Sequence, residues 1–197
     1  KATRVRARIV AQTINEQMQA SDKVFIMGHD NEDYDAIGSA IGMAKLSLSL
    51  NKETYIVLSG RNDNVNRISE MLARESIKVN DHEEDYNSIM VEEAEALKHI
   101  TPNSLLVLVD HHREILTASK SVLEAIPKRI IVDHHRRSED LLADTVLLYL
   151  EPSSSSTSEL LTELVGYFND RLEFTPVEAT ALYSGIVLDT KNFAVQT

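Results

Sequence analysis

A dense group of carboxylates follows the first short apolar run of this sequence. Residues 29–35 read His-Asp-Asn-Glu-Asp-Tyr-Asp, so that four carboxylates fall within six residues. Side by side in a cleft, these groups would repel one another and resist ionisation. A divalent cation removes that difficulty, and imidazole nitrogen combined with carboxylate oxygen suits manganese, zinc or iron. Taken alone, the segment fits a solvated acidic loop equally well.

Two more polar clusters also follow apolar runs. Residues 110–112 are Asp-His-His and come after the run 105–109, and residues 133–137 are Asp-His-His-Arg-Arg and come after the run 129–132. One imidazole of such a pair can ligate a metal while the next faces a substrate, and neighbouring arginines can hold a phosphate. Each cluster by itself has a simpler interpretation, as a helix cap with surface histidines and as a basic turn.

A serine-rich segment precedes a predicted helix. Residues 151–159 read Glu-Pro-Ser-Ser-Ser-Ser-Thr-Ser-Glu, and Ser156 with Glu159 forms the capping pattern S-x-x-E. Hydroxyls and N–H groups at a helix start also form anion sites. Capping accounts for Ser156 and Glu159 but not for the serines before them. The candidate substrate contacts in this segment are Ser154, Ser155 and Ser156.

Together these clusters supply six candidate metal ligands on separate elements. They are His29, Asp33, Asp35, Asp110, His134 and Asp189. Asp189 ends the apolar segment 179–188, and taken alone it is a polar residue at a helix end. Four of the six are carboxylates, so two divalent ions would neutralise them, whereas a single ion would leave ligands unused.

The apolar pattern predicts the elements that must position these residues. Strands are predicted at 24–27, 54–58, 105–109, 129–132 and 146–150, and helices at 2–20, 36–50, 65–74, 91–98, 156–168 and 176–188. This alternation predicts an α/β fold with a largely parallel five-stranded sheet flanked by helices. Ligands of such sheets bind beyond the carboxyl ends of the strands, where the polar clusters are predicted to lie.

Composition excludes several classes of protein. The 197 residues are 43% hydrophobic, which supports a core, and contain no Cys, which excludes disulfide scaffolds and thiolate metal sites. A net charge of −11 argues against binding of long nucleic acid. No apolar run approaches the roughly 20 residues of a membrane span. Because the sequence begins without Met, we expect a fragment of a longer protein.

Four ordered motifs resemble those of the DHH phosphoesterases, a family named after the triad found here at residues 133–135. They are GHDNEDYDAIGSA at 28–40, VD at 109–110, VDHHRR at 132–137 and GIVLDTKNF at 185–193. Residues 151–164 and the DTKNF segment are most similar to the membrane-anchored bacterial cyclic-di-AMP phosphodiesterases. The resemblance spans nearly the whole chain.

The resemblance implies a role for each candidate residue. The implied ligands are His29 and Asp33 for one ion, Asp35, His134 and Asp189 for the other, and Asp110 between the two. Manganese is the implied metal. His135 would face the scissile phosphate, where it positions or protonates the leaving group, and Arg136 would contact the phosphate.

The implied activity is hydrolysis of cyclic di-AMP to linear pApA, in which Asp110, His135 and Arg136 are catalytic. Two alternatives stay open. One is a phosphoesterase for short oligoribonucleotides or adenosine 3′,5′-bisphosphate, and the other is a metal- or nucleotide-sensing lobe without turnover.

The resemblance also carries expectations about context. Residues 1–197 are expected to form the catalytic DHH domain of a cytoplasmic region, in a parent protein anchored to the membrane by segments that precede it. A DHH-associated substrate lobe is expected beyond residue 197. Whether the protein forms a homodimer is left open.

Three positions depart from the family pattern. Glu32 stands where Pro is common, Asp30 where a basic residue is common, and His111 where Thr is expected. Because Pro would restrict its own backbone and that of the preceding residue, Glu32 is expected to loosen the metal-binding loop. Asp30 adds negative charge near an anionic substrate.

Overall fold

The computed structural model describes the backbone of residues 2–79 and 82–194, and the side chains of residues 3–77 and 83–188. Its strands are β1 (Lys23–Met27), β2 (Glu53–Leu58), β3 (Ser76–Val79), β4 (His82–Asp85), β5 (Met90–Glu92), β6 (Ser104–Val109), β7 (Arg129–Asp133) and β8 (Leu147–Leu150). Its α-helices are α1 (Ala2–Gln19), α2 (Tyr34–Ser49), α3 (Asp63–Leu72), α4 (Glu93–His99), α5 (Lys120–Ala125), α6 (Thr157–Phe168) and α7 (Pro176–Ala194).

The main sheet confirms the predicted α/β class. Its order is β5-β2-β1-β6-β7-β8, and every pairing in it is parallel. Strands β2 and β5 are added on one side of β1, and β6, β7 and β8 are then added on its other side. The order of the strands therefore reverses between β1 and β6, which is the position where open parallel sheets form a ligand crevice.

The sheet has six strands rather than the five that the sequence predicted. The additional strand is β5, a three-residue edge strand that pairs with β2. The sequence assigned Val91 to the start of a helix, but that helix begins only at Glu93. A strand this short has no periodicity of its own and forms because β2 offers a free edge. The antiparallel pair β3–β4 and the six-residue helix α5 were also not predicted.

Both faces of the sheet are covered. Alternate residues of β1 and β6 enter two separate cores, with Ile26 and Val107 on one face and Phe25 and Leu106 on the other. Apolar residues of α1, α2, α3, α6 and α7 complete the first core, and those of α4 and α5 complete the second. Burial on both faces explains why the central strands are continuous apolar runs in the sequence.

Helix α2 crosses α7 at very close range. A Cβ atom at Gly38 would lie 2.7 Å from the carbonyl oxygen of Ala181 in α7 and 2.9 Å from the hydroxyl of Ser158 in α6. Only glycine leaves enough room for this three-helix contact.

Within the described residues, no helix combines the length and apolar character that crossing a membrane requires.

The loop between β1 and α2 is anchored to the end of β2. The Glu32 carboxylate is 2% exposed and accepts hydrogen bonds from the backbone N–H and the hydroxyl of Ser59, at 2.6 and 2.8 Å. The Ser59 hydroxyl also accepts from the N–H of Asn31 at 3.1 Å. The structure thus differs from the expectation for Glu32, because this side chain ties the loop down by hydrogen bonds where Pro would have stiffened it.

Replacement of Gly38 by Ala should destabilise the fold by about 1–3 kcal/mol, because the backbone of α7 has to move away from the new methyl group. The matched control is Gly166→Ala in α6, where a Cβ would meet nothing within 4 Å. That change should raise stability by about 0.5–1 kcal/mol, as Ala is the better helix former. Denaturant unfolding measures both, and equal effects of the two variants would contradict the close contact.

Glu32→Ala should lower the free energy of unfolding by about 1–3 kcal/mol, because it leaves the N–H of Ser59 without its acceptor. Glu32→Gln keeps one acceptor oxygen and should cost clearly less. Unfolding in urea compares the two variants with the unmodified chain. An alanine variant as stable as the glutamine variant would show that the anchor contributes nothing.

Candidate metal and phosphate site

A first cluster of possible ligands lies where β1 ends. The Nε2 atom of His29 is 3.4 Å from Oδ1 of Asp33 and 3.3 Å from Oδ2 of Asp110. The other ring nitrogen, Nδ1, lies 2.9 Å from the carbonyl oxygen of Asp30, which can only accept. Nδ1 therefore carries a proton, and Nε2 is the nitrogen directed at the two carboxylates.

A second cluster lies next to the first, at the ends of β6 and β7. The Nε2 atom of His134 is 3.5 Å from Oδ1 of Asp110 and 3.6 Å from Oδ2 of Asp35. The two oxygens of Asp110 thus face two different imidazoles, those of His29 and His134. Asp110 itself is 2% exposed. Neighbouring ligands of one ion lie about 3–3.5 Å apart when the metal–ligand bonds are about 2.1 Å long, so these spacings suit metal binding.

Two groups of side chains bring potential ligand atoms within 4.8 Å of one another. The first is His29, Asp33 and Asp110, and the second is Asp110, Asp133, His134 and His135. Asp110 belongs to both groups. The family resemblance implied that Asp110 lies between two ions, and in the structure its carboxylate belongs to both groups. The described part of the cluster can therefore hold divalent metal.

Burial and neighbouring charges shift the pKa values of the clustered side chains. Burial alone lowers the pKa of His29, but its interactions with Asp110 and Asp33 outweigh burial and raise that pKa to about 11. Burial raises the pKa of Asp35 well above its ordinary value, and the charge of Asp110 adds to the rise. Burial acts in the same direction on Asp110, yet contacts with His134 and His29 hold the pKa of Asp110 below its ordinary value. The closely spaced carboxylates therefore favour a positively charged group between them.

Asp35 is held by the first turn of α6. Its carboxylate accepts hydrogen bonds from the backbone N–H groups of Thr157 and Ser158, at 2.9 and 2.8 Å. The hydroxyl of Thr157 also donates to Oδ1 of Asp110 at 3.1 Å. The sequence suggested an anion site at this helix start, and the anion that these two N–H groups bind in the structure is a carboxylate of the chain itself.

The serines before α6 pack against its first turn. Ser156 caps the helix by accepting from the N–H of Glu159 at 3.1 Å. The hydroxyls of Ser154 and Ser155 donate to the Glu159 carboxylate at 3.0 and 2.6 Å. In this arrangement these hydroxyls are directed at Glu159, and their contact with substrate stays a prediction.

A hydrogen-bonded chain behind the clusters was missed by sequence reasoning. Asp133 is fully buried and joins two imidazoles, with Nδ1 of His135 at 2.6 Å and Nδ1 of His112 at 2.7 Å. The N–H of Ser138 donates to Nε2 of His112 at 3.1 Å, so His112 bears its proton on Nδ1. Although burial raises the pKa of Asp133, its contact with His135 is the main reason that this pKa falls below the ordinary value. Asp133 thereby fixes the orientation of the His135 ring.

A cavity of about 680 Å³ opens in front of the clusters. His29, Asp33, Asp110, His135 and Arg136 are among the residues that line it. His135 and Arg136 are exposed there, whereas Asp110 is buried at its base. A phosphate group placed in the cavity can therefore reach the metal-binding side chains and the Arg136 guanidinium.

The sixth candidate ligand, Asp189, has a side chain outside the described residues. The residue itself falls within α7. Its assignment stays a prediction. Of the other sequence candidates, His29, Asp33, Asp35, Asp110 and His134 are brought together at one edge of the sheet.

Comparison with known proteins agrees with the motifs. The model of the "DHH family, N-terminal domain" matches residues 23–186. The chain is 40% identical over 197 residues to the cyclic-di-AMP phosphodiesterase PdeA of Listeria monocytogenes, covering all of this chain and 29% of that protein. It is 26% identical over 178 residues to a probable manganese-dependent inorganic pyrophosphatase of Clostridium acetobutylicum, covering 89% of this chain and 50% of that one.

The fold has solved counterparts as well. An exopolyphosphatase-related protein from Bacteroides fragilis superposes with a TM-score of 0.70 at 20% identity, over 93% of this chain and 50% of that one. The resemblance inferred from four motifs is therefore confirmed over most of the sequence. The chain belongs to the DHH family and contains the N-terminal domain of that family.

Proposed function

We propose that this chain is the catalytic DHH domain of a phosphodiesterase that hydrolyses cyclic di-AMP to linear pApA with two divalent metal ions. The observation that carries the proposal is the position of Asp110, whose carboxylate lies between the imidazoles of His29 and His134 at the strand-order reversal. The name and 40% identity of the Listeria relative support the choice of substrate. The chain spans 29% of that relative, so the activity of the whole protein is part of the proposal.

The residues that would hold the ions follow from the two clusters. His29, Asp33 and Asp110 would hold one ion, and Asp35, His134 and Asp110 the other, with Asp189 as the further ligand expected from the sequence. Mixed nitrogen and oxygen ligands favour manganese over calcium or magnesium. The pyrophosphatase relative, whose name includes manganese dependence, supports the same choice.

In the reaction, water adds to phosphorus and the bond from phosphorus to the 3′ oxygen breaks, which leaves a 5′-phosphate and a 3′-hydroxyl. When bound, divalent ions supply Lewis-acid polarisation of the phosphate and lower the pKa of water. His135 would give a proton to the leaving 3′ oxygen, and its hydrogen bond from Nδ1 to Asp133 supports this role. Arg136 binds the non-bridging phosphate oxygens and stabilises the charge that grows on them.

The chain's charge favours a small substrate. A net charge of −11 opposes binding of long nucleic acid, whereas a cyclic dinucleotide needs only local cations. We further propose that the domain works in the cytoplasm within a membrane-anchored parent protein, together with a DHH-associated lobe. The motifs at residues 151–164 and 189–193, which resemble those of membrane-anchored relatives, support this placement.

Incubation of the chain with cyclic di-AMP and Mn²⁺ should yield pApA, which chromatography separates from the substrate. Without divalent metal, the product should fall to background because neither the phosphate nor the attacking water is activated by a Lewis acid. Parallel incubation with pApA and with adenosine 3′,5′-bisphosphate tests the alternative substrates. Binding of cyclic di-AMP without any product after long incubation with Mn²⁺ would favour a sensing lobe and contradict the proposal.

Asp110→Ala should reduce turnover at least about 100-fold and weaken Mn²⁺ binding at both positions, because it removes the shared ligand. Calorimetric titration with Mn²⁺ measures binding independently of catalysis. The control is Asp170→Ala, which removes an exposed carboxylate in the turn after α6. Near-normal turnover by Asp110→Ala would overturn the assignment of Asp110.

A further inference from the structure

Two apolar side chains stand exposed at the rim of the substrate cavity. Ile115 is 75% exposed and Leu116 is 42% exposed, and both line the cavity that contains His29 and Asp110. Isolated apolar residues at a surface are common and need no explanation. Here, however, two adjacent ones face the same cleft as the ligand cluster. We call this pair the apolar wall.

The apolar wall is held in place on its β1 side. The carbonyl oxygen of Leu116 accepts a hydrogen bond of 2.6 Å from the N–H of Asp30, and the N–H of Ala118 donates to the carbonyl oxygen of Gly28 at 3.1 Å. These bonds join the wall to the segment that carries His29. The wall therefore keeps a fixed position relative to the first metal cluster.

The other end of the wall segment is held as well. The Nε atom of Arg113 lies 2.9 and 2.7 Å from the two carboxylate oxygens of Asp140. The N–H of Leu142 donates to the carbonyl oxygen of His112 at 2.9 Å. With both ends tied to neighbouring segments, the cost of ordering the wall is already met before a ligand arrives.

The lining of the cavity thus has two chemically different parts. His135, Arg136 and the ligand clusters among its lining residues suit phosphate, whereas Ile115 and Leu116 offer apolar surface. Its volume of about 680 Å³ falls within the roughly 300–1,000 Å³ typical of sites for organic ligands. An inorganic phosphate would fill a small part of it and would gain nothing from Ile115 and Leu116.

We propose that the apolar wall is the subsite for a nucleobase of the substrate, so that this domain itself distinguishes nucleotides from base-free phosphates. The inference rests on the proposed function only in assuming that phosphate binds at the metal clusters. The flat face of a base would cover Ile115 and Leu116 while the attached phosphate reaches Arg136. Contact with aliphatic side chains buries apolar surface of the base without a requirement for one particular base.

The test compares two sugar phosphates that the proposed reaction does not consume, one with a base at C1′ and one with a hydroxyl there. AMP and ribose 5-phosphate are each titrated calorimetrically into the 197-residue chain in the presence of Mn²⁺. We expect AMP to bind about 5- to 30-fold more tightly, the gain typical of covering one base with apolar side chains. In the double variant Ile115→Ser/Leu116→Ser, the two affinities should converge because only that for AMP falls.

Two control variants separate this effect from general damage. Val146→Ser changes an exposed apolar residue beside Arg129, at the opposite end of β7 from the cavity, and should keep the preference for AMP. Ile115→Leu/Leu116→Met keeps the apolar surface and should keep it too. Thermal unfolding and Mn²⁺ titration of all variants monitor the fold and the metal clusters.

Three outcomes would overturn the inference. They are equal affinity of the unmodified chain for both ligands, an unchanged preference in the double serine variant, and an equal loss of affinity for both ligands in that variant. Because neither ligand is turned over, a chain that prefers AMP but does not hydrolyse cyclic di-AMP supports the wall while contradicting the proposed reaction. The converse result contradicts the wall alone.

Discussion

Mutual repulsion among Asp33, Asp35 and Asp110 is the constraint on which the arrangement of this domain depends. Asp33 caps α2, Asp35 lies in the first turn of that helix, and Asp110 follows the end of β6. Within the protein, the compensation comes from two imidazoles and from the N–H groups at the start of α6. Helix α6 approaches α2 closely enough to supply those donors only because small residues line the contact, among them Gly38. The charge balance of the site therefore depends on the close packing of α2 and α6.

The same arrangement explains why buried carboxylates stand at the carboxyl ends of two central strands. Asp110 and Asp133 are both buried; Asp110 follows β6 and Asp133 ends β7, and the central residues of both strands are apolar. Asp133 contacts two imidazoles of the site. It fixes His135 and is itself fixed by His112, so the residue that would touch the substrate is held by a layer of hydrogen bonds behind it.

Much of the fold and of the site follows from local sequence patterns. Apolar runs that end in polar residues identified β1, β6 and β7, and the parallel arrangement explains why His29, Asp110 and His134 converge. What the sequence did not reveal depends on contacts between distant segments. The edge strand β5 exists because β2 has a free edge, and the role of Glu32 depends on Ser59, which follows β2. Asp133 ends a strand as expected, but its two imidazole partners could be recognised only once the strands were side by side.

The backbone at Asp110 adopts a left-handed conformation, with φ of 62°. Few residue types tolerate it, and among them Gly, Asn and Asp are the most readily accommodated. Only Asp of these three also provides a carboxylate. A Glu at position 110 would preserve the charge but would meet the steric penalty of that backbone and extend its carboxylate by one methylene. Both the backbone conformation and the need for a carboxylate therefore restrict position 110, so almost no substitution of Asp110 is expected to be neutral.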